Sequence, residues 1–206
     1  MFITFEGSEG CGKTTQVASL AEFLCKMGYD VLSTREPGGT QIGDQIRAIL
    51  SDLDNTAMQP RTEILLFQAS RAQLVAQVIR PHLDRSGIVL CDRFADSTLA
   101  YQGYGYQLDL DSLKSLIDFA VVGLKPDLTF LLDMDVEEGL RRRARGGEWN
   151  RLDAFDLDFY QRVRRGYHEL ARAEPQRWAV VDASQPPEQV QAEIRRIVLE
   201  RLQVES

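Results

Sequence analysis

Cysteine is scarce. Cys11, Cys25 and Cys91 are odd in number and form no C-x-x-C pair, which excludes a disulfide framework and suits a reducing compartment. No apolar run approaches the roughly 20 residues of a membrane span, and no charged leader precedes an apolar core near Met1. A cytoplasmic location with no membrane partner is therefore expected. Net positive charge is missing as well. The 206 residues carry 24 Lys and Arg against 31 Asp and Glu, a formal net charge of −7. That argues against a broad nucleic-acid surface, so a polyanionic ligand must be met by a local basic cluster. No internal repeat, low-complexity tract or linker interrupts the chain, and residues 1–206 read as a single domain.

What is present is an alternation. Apolar strand-like runs at Phe2–Phe5, Tyr29–Thr34, Ile88–Cys91, Leu128–Leu132 and Trp178–Val181 are near-continuous, as in strands buried on both faces. Helical spacing falls near Gln16–Met27, Gly43–Ser51, Arg61–Leu83, Asp111–Val121, Val136–Ala144, Leu157–Ala173 and Glu188–Gln203. The expectation is an α/β fold with a five-stranded parallel sheet and helices on both faces. In such sheets ligands sit beyond the carboxyl ends of the strands.

The residues after the first strand carry the strongest signal. Gly7-Ser8-Glu9-Gly10-Cys11-Gly12-Lys13-Thr14-Thr15 contains G-x-x-x-x-G-K-[ST] between a strand and a helix. The glycines let backbone N–H groups curl into an anion nest, and the following helix points its positive end at the same place. Lys13 is placed to reach β- and γ-phosphates, and Thr14 to ligate Mg²⁺. After the third strand, Asp92 has the setting of a Walker-B carboxylate aimed at Mg²⁺. Asp133 is a rival for that role, or else a helix cap. Cys11, in a loop beside Lys13, is expected to be the most reactive thiol.

One stretch departs from the acidic average. Arg141, Arg142, Arg143, Arg145 and Arg151 surround the pair Gly146-Gly147. The variable positions of the phosphate loop hold no cation, so charge neutralisation must come from elsewhere. An Arg-rich lid over about residues 141–153 would supply it, with Arg142, Arg145 or Arg151 as the catalytic arginine. A solvated helix end is the alternative.

There is no N-K-x-D of a regulatory GTPase, and a motor or transporter ATPase would usually be larger. A small chain with this loop and lid looks like a nucleoside monophosphate kinase. The motifs then become specific. Phe5-Glu6-Gly7-Ser8-Glu9-Gly10, Thr34-Arg35-Glu36-Pro37-Gly38-Gly39-Thr40, Leu65-Leu66-Phe67-Gln68-Ala69-Ser70-Arg71 and Asp92-Arg93-Phe94-Ala95-Asp96-Ser97-Thr98-Leu99-Ala100-Tyr101-Gln102-Gly103 resemble bacterial thymidylate kinase. Pro126-Asp127-Leu128-Thr129 and Asn150-Arg151-Leu152-Asp153 do so too.

The resemblance implies a P-loop kinase fold, transfer of a phosphoryl group from ATP·Mg²⁺ to dTMP, a place in the supply of dTTP, and a homodimer. The long helix from Arg61 to Leu83 is the expected dimer contact. The resemblance also implies residue roles. Glu9 approaches the 3′-hydroxyl, Phe67 stacks on thymine and Arg71 bonds the base. Thr98 and Gln102, at i and i+4 on one helix face, reach the thymine edge. Tyr101 occupies the space of a 2′-hydroxyl, and Arg93 and Arg47, with Arg35, hold the acceptor phosphate. Phe94 stands where Tyr is common, and Asn150 where some relatives have Asp. A kinase for uridylate, guanylate or adenylate is the nearest alternative.

Overall fold

The computed structural model describes residues 1–146, 151 and 155–204. Five strands, β1 (Phe2–Glu6), β2 (Val31–Arg35), β3 (Ile88–Asp92), β4 (Leu128–Asp133) and β5 (Trp178–Asp182), form one parallel sheet in the order β2-β3-β1-β4-β5. β1 lies in the middle and every residue of it is buried. Its Thr4 hydroxyl shares a hydrogen bond with Thr129 at 2.8 Å. β2 and β5 are edge strands and partly exposed, so full coverage on both faces holds only for the three central strands.

Helices α1 (Lys13–Lys26) and α9 (Pro187–Val204) pack together over one face, where Leu20, Leu24 and Ile194 are fully buried. On the other face α3 (Pro60–Leu74) packs against α6 (Leu110–Val121), and Leu74 and Phe94 are completely enclosed. α2 (Gln41–Ser51) lies against α3, and α7 (Val136–Gly146) and α8 (Leu157–Ala173) follow β4.

Two helices depart from the sequence expectation. The stretch from Arg61 to Leu83 is not one regular helix. α3 widens into a π-helical stretch, Val75–Ile79, before a last turn α4 (Arg80–Leu83). Pro81 explains it, because proline has no N–H and its ring crowds the carbonyl one turn back. A helix absent from the periodicity runs through α5 (Ala95–Thr98) and a second π-helical stretch, Leu99–Gly105. Among the described residues no helix is long and apolar enough to cross a membrane.

Candidate active site

The carboxyl ends of β1, β2 and β3 open into a cleft of about 960 Å³. One wall is the loop after β1. Gly7 and Gly10 adopt left-handed φ of 140° and 71°. A Cβ on Gly7 would lie 2.5 Å from the Leu132 carbonyl oxygen, and one on Gly10 would strike the Gly139 carbonyl. Glycine is therefore required at both. Lys13, 7% exposed, donates from Nζ to the carbonyls of Gly7 at 3.0 Å and Ser8 at 2.8 Å. α1 begins without a side-chain cap, whereas α2, α6 and α8 are capped by Thr40, Asp109 and Asp156. Its first N–H groups remain available to an anion.

Thr14 Oγ1 donates to Asp92 Oδ2 at 2.6 Å. A hydroxyl and one carboxylate are hard oxygen donors, few enough to leave coordination positions for water and phosphate. That donor set fits Mg²⁺. Asp133 is elsewhere. It accepts from Arg164 Nε at 2.7 Å and Nη2 at 2.8 Å, with His168 Nε2 at 3.2 Å. Burial would raise its carboxyl, but the Arg164 bonds and His168 hold it below the usual range. Nor does Asp133 cap α7, since Asp135 accepts from the Glu138 N–H at 3.1 Å.

Arg93 ties this wall to the next. Its Nη2 donates to Glu9 Oε1 at 2.7 Å and Tyr101 Oη at 3.0 Å, and its Nη1 to the Gly7 carbonyl at 3.1 Å. Tyr101 Oη also donates to Glu9 Oε1 at 2.8 Å. Burial works to raise the Glu9 carboxyl, yet Arg93, Lys13 and the Tyr101 hydroxyl together hold it below its ordinary value. Arg47 Nη1 donates to the Pro37 carbonyl at 2.9 Å. Burial, then the like charge of Arg35, push the Arg47 guanidinium below its ordinary value. Arg35 is half exposed and makes a 3.5 Å contact to Asp44. Arg35, Arg47 and Arg93 thus line one cleft with mutual repulsion that an anion would relieve.

Phe67, partly exposed, lines the far end with Thr98 and Gln102. Behind them Arg71 is 1% exposed. Nε and Nη2 meet Glu36 Oε2 at 2.8 and 2.6 Å, Nη1 meets Gln68 Oε1 at 2.8 Å and Thr98 Oγ1 at 3.1 Å, and Nη2 meets the Phe94 carbonyl at 3.1 Å. All five guanidinium donors are engaged. Glu36 Oε1 is buried without a partner among the described residues, and burial raises this carboxyl against the pull of Arg71. Phe94 is fully buried edge-on to Phe2, ring centroids 5.0 Å apart.

The lid arginines divide. Arg142 and Arg143 line the cleft. Arg142 donates from Nε to Glu138 at 3.2 Å and from Nη1 to the Ala183 carbonyl at 3.2 Å, and the charge of Arg143 helps lower Glu9. Arg145 is exposed and is not part of the cleft wall. Arg151 is turned away from the phosphate loop, and its Nη2 meets Glu63 Oε2 at 2.7 Å and its Nε the Leu50 carbonyl at 2.9 Å. The rest of the expected lid, residues 147–150 and 152–153 with Asn150, lies outside the described residues. The expectation for Cys11 meets an obstacle. It is 4% exposed and its thiol donates to the Ser8 carbonyl at 3.0 Å, whereas Cys25 is exposed.

Comparison with known proteins decides the family. The thymidylate kinase family model matches residues 5–194. The chain belongs to the thymidylate kinase family. A thymidylate kinase of Roseiflexus sp. (strain RS-1) is 52% identical over 210 residues, covering 96% of this chain and 93% of the relative. The thymidylate kinase of Deinococcus radiodurans is 50% identical over 201 residues, covering 98% and 97%. A crystal structure of thymidylate kinase from Ehrlichia chaffeensis superposes with a TM-score of 0.79 at 37% identity, covering 96% of this chain and 98% of that one.

Set in that family, the fold adds three carboxylates to which sequence reading gave no role, Glu6, Glu36 and Glu63, and of the arginine cluster it brings Arg143, not named there as the catalytic arginine, to the cleft wall. Glu6 is wholly buried, accepting from the Phe94 N–H at 2.8 Å, Ser97 Oγ at 2.5 Å and Tyr167 Oη at 2.9 Å. Ser97 and Tyr167 in turn each accept from Arg93 Nη1 at 3.3 Å. The signal available in sequence was a carboxylate ending the apolar strand β1, at Glu6, and one directly after β2, at Glu36. Nothing local marks Glu63.

Proposed function

We propose that the cleft holds ATP on the β1–α1 loop and dTMP against Phe67, with the acceptor phosphate among Arg35, Arg47 and Arg93. The chain phosphorylates dTMP to dTDP at the expense of ATP. The observation that carries the site assignment is a single cleft lined by Lys13, Thr14 and Asp92 at one end and by Phe67, Thr98 and Gln102 at the other. Arg93 stands between them on Glu9 and Gly7.

No strong general base is required, because the second ionisation of a phosphate monoester lies near 6 and the attacking oxygen is already largely ionised. Catalysis is positioning plus charge neutralisation. Thr14 and Asp92 would hold Mg²⁺, which when bound offsets charge on the transferring phosphoryl group. Lys13 reaches the same group from the loop, and Arg93 brings the acceptor phosphate alongside. Arg142 and Arg143, on the cleft wall, are the lid arginines best placed to complete the neutralisation. Covering the cleft would also keep water from receiving the phosphoryl group. Tyr101, held by hydrogen bonds to Glu9 and Arg93, would stand where a 2′-hydroxyl intrudes.

We also read the protein as a cytoplasmic homodimer, its three thiols being free. Leu65 on α3 and Phe119 and Val122 at α6 are 56%, 86% and 72% exposed on two helices packed against each other, apolar side chains that a second copy would cover. Sedimentation tests the dimer. For the activity, the decisive experiment is turnover of dTMP, dUMP, dCMP, dGMP, UMP, GMP and AMP with ATP·Mg²⁺. Preference for dTMP is expected; a faster ribonucleotide or purine substrate would overturn the reading.

A further inference from the structure

Glu63 on α3 is a carboxylate only 2% exposed, and Arg151 is the cation facing it, at 2.7 Å. Removing either partner of so enclosed a pair leaves a charge without compensation, so the pair is held for a purpose or not held at all. The other oxygen of Glu63 accepts from Gln102 Nε2 at 2.9 Å, and the Tyr106 hydroxyl donates to Oε2 at 3.4 Å. An ionised carboxylate only accepts. Facing Glu63, the Gln102 amide must therefore present its NH₂ end, and its carbonyl end is the one left for the cleft. Among the described residues no donor holds that carbonyl oxygen.

From this geometry we propose that the Glu63–Arg151 pair orients the Gln102 amide so that its oxygen accepts a hydrogen bond from the pyrimidine ring. The inference rests on the assignment of dTMP to this end of the cleft. A 2,4-dioxopyrimidine carries an N3–H that donates to such an oxygen. Cytosine has a bare N3 lone pair there and meets repulsion instead. Glu63 and Arg151 are then positioning residues that set base specificity, and Arg151 acts at the base rather than at the transferring phosphoryl group. Arg151 also donates to the Leu50 carbonyl at 2.9 Å, which anchors the pair to the end of α2 independently of any nucleotide.

The test is direct binding and steady-state turnover of dTMP and dCMP by the full chain, its Glu63→Gln and Arg151→Ala variants, and Arg151→Lys. Glutamine at 63 offers a donor as well as an acceptor, so the Gln102 amide is free to turn over. The dTMP/dCMP ratio of kcat/KM should fall about tenfold, within the cost of one mispaired buried hydrogen bond. Arg151→Ala should raise KM for dTMP more than it lowers kcat, with part of the loss restored in Arg151→Lys. An unchanged ratio in a folded Glu63→Gln protein overturns the proposal. So does an Arg151→Ala enzyme that loses kcat at constant KM, which would make Arg151 a phosphate contact. If Glu63→Gln does not fold, Arg151→Ala decides alone, because its guanidinium is the outer member of the pair. A wild-type chain that neither binds nor turns over dTMP would instead overturn the functional reading beneath it.

Discussion

The two ends of the cleft are built from different materials. The end beneath β1 is backbone. Its anion nest is nine consecutive residues, the loop after β1 and the first turn of α1, the α1 terminus is uncapped, and the buried Lys13 bonds to main-chain carbonyls. The end proposed for the base is side chain. It draws on Glu36, Glu63, Arg71, Thr98, Gln102 and Arg151, more than a hundred positions apart in sequence and joined by buried ion pairs. Backbone amides bind any phosphate and read nothing. Oriented side chains are costlier to bury, but only they distinguish one base from another.

The sharpest way to separate the ends is to disable the backbone-built one. Lys13→Ala should lower kcat roughly 10²–10³-fold, the loss typical of removing one preorganised charge stabiliser. Binding of dTMP alone should change less than about threefold. Calorimetric titration with dTMP, beside kinetics, checks both. A large loss of dTMP affinity would show that the two ends are not independent.

Next in size is the buried pair at the other end. Arg71→Ala leaves Glu36 in the interior without its cation, and breaking such pairs costs about 3–5 kcal/mol. Burial already raises the Glu36 carboxyl and Arg71 opposes it, so without Arg71 the carboxyl is pushed further toward its neutral form and the loss should sit near the low end. Urea denaturation measures it. The double variant Arg71→Leu/Glu36→Gln should recover stability but not affinity for dTMP. A single variant as stable as wild type would make the pair dispensable to the fold.

The same contrast governs what could be read from sequence. The phosphate loop was legible because spacing alone specifies it, and so were the central strands β1, β3 and β4, whose apolar runs admit few alternatives. The stretch Ala95–Gly105 was not legible as a helix by periodicity. It carries two glycines and little apolar repeat, and packing against α8 holds it: Cβ atoms on Gly105 and Gly166 would lie 2.6 Å from the Phe159 ring and 2.5 Å from the Tyr104 ring. Arg151 shows the limit more clearly. Its place among arginines pointed to phosphates, but the partner that captures it is Glu63, eighty-eight positions away. No local pattern encodes that distance.

Glu6 offers a smaller, pH-dependent effect. Burial first, then the charge of Asp96, raise its carboxyl from 4.5 to about 7, against the pull of Ser97, Arg93 and the Phe94 N–H. The folded chain therefore keeps a proton that the unfolded chain gives up near 4.5. The stabilisation associated with that proton is complete below about 4.5 and is lost as pH rises toward 7. Glu6→Gln abolishes the titration, and the hydroxyls of Ser97 and Tyr167 can turn to accept from its amide. Compared with the variant, wild type should lose up to about 1.4 kcal/mol of stability per pH unit across that window. Denaturation curves at several pH values test it. A wild-type-minus-variant difference independent of pH would show that Glu6 does not titrate there.

The smallest effect expected is at the thiols, and it probes how closed the backbone-built end is. Sequence places Cys11 at a helix N-terminus beside a lysine, a setting that favours thiolate. In the fold that setting is sealed. Cys11 is 4% exposed, its Sγ accepts from Lys13 Nζ at 3.3 Å and donates to the Ser8 carbonyl at 3.0 Å, and a Cβ on Gly7 would lie 2.9 Å from it. An alkylating reagent needs an approach that this packing denies. Cys25, on the exposed side of α1, has one. Native alkylation followed by peptide mapping should label Cys25 first, at a rate ATP·Mg²⁺ does not change. Activity should stay within about twofold, because Cys25 is not on the cleft wall. Cys11 should react only once the chain is unfolded. Labelling of Cys11 ahead of Cys25, suppressed by ATP·Mg²⁺, would mean that the loop opens in solution far enough for the thiol to leave its carbonyl. The nest would then be assembled by the nucleotide rather than waiting for it.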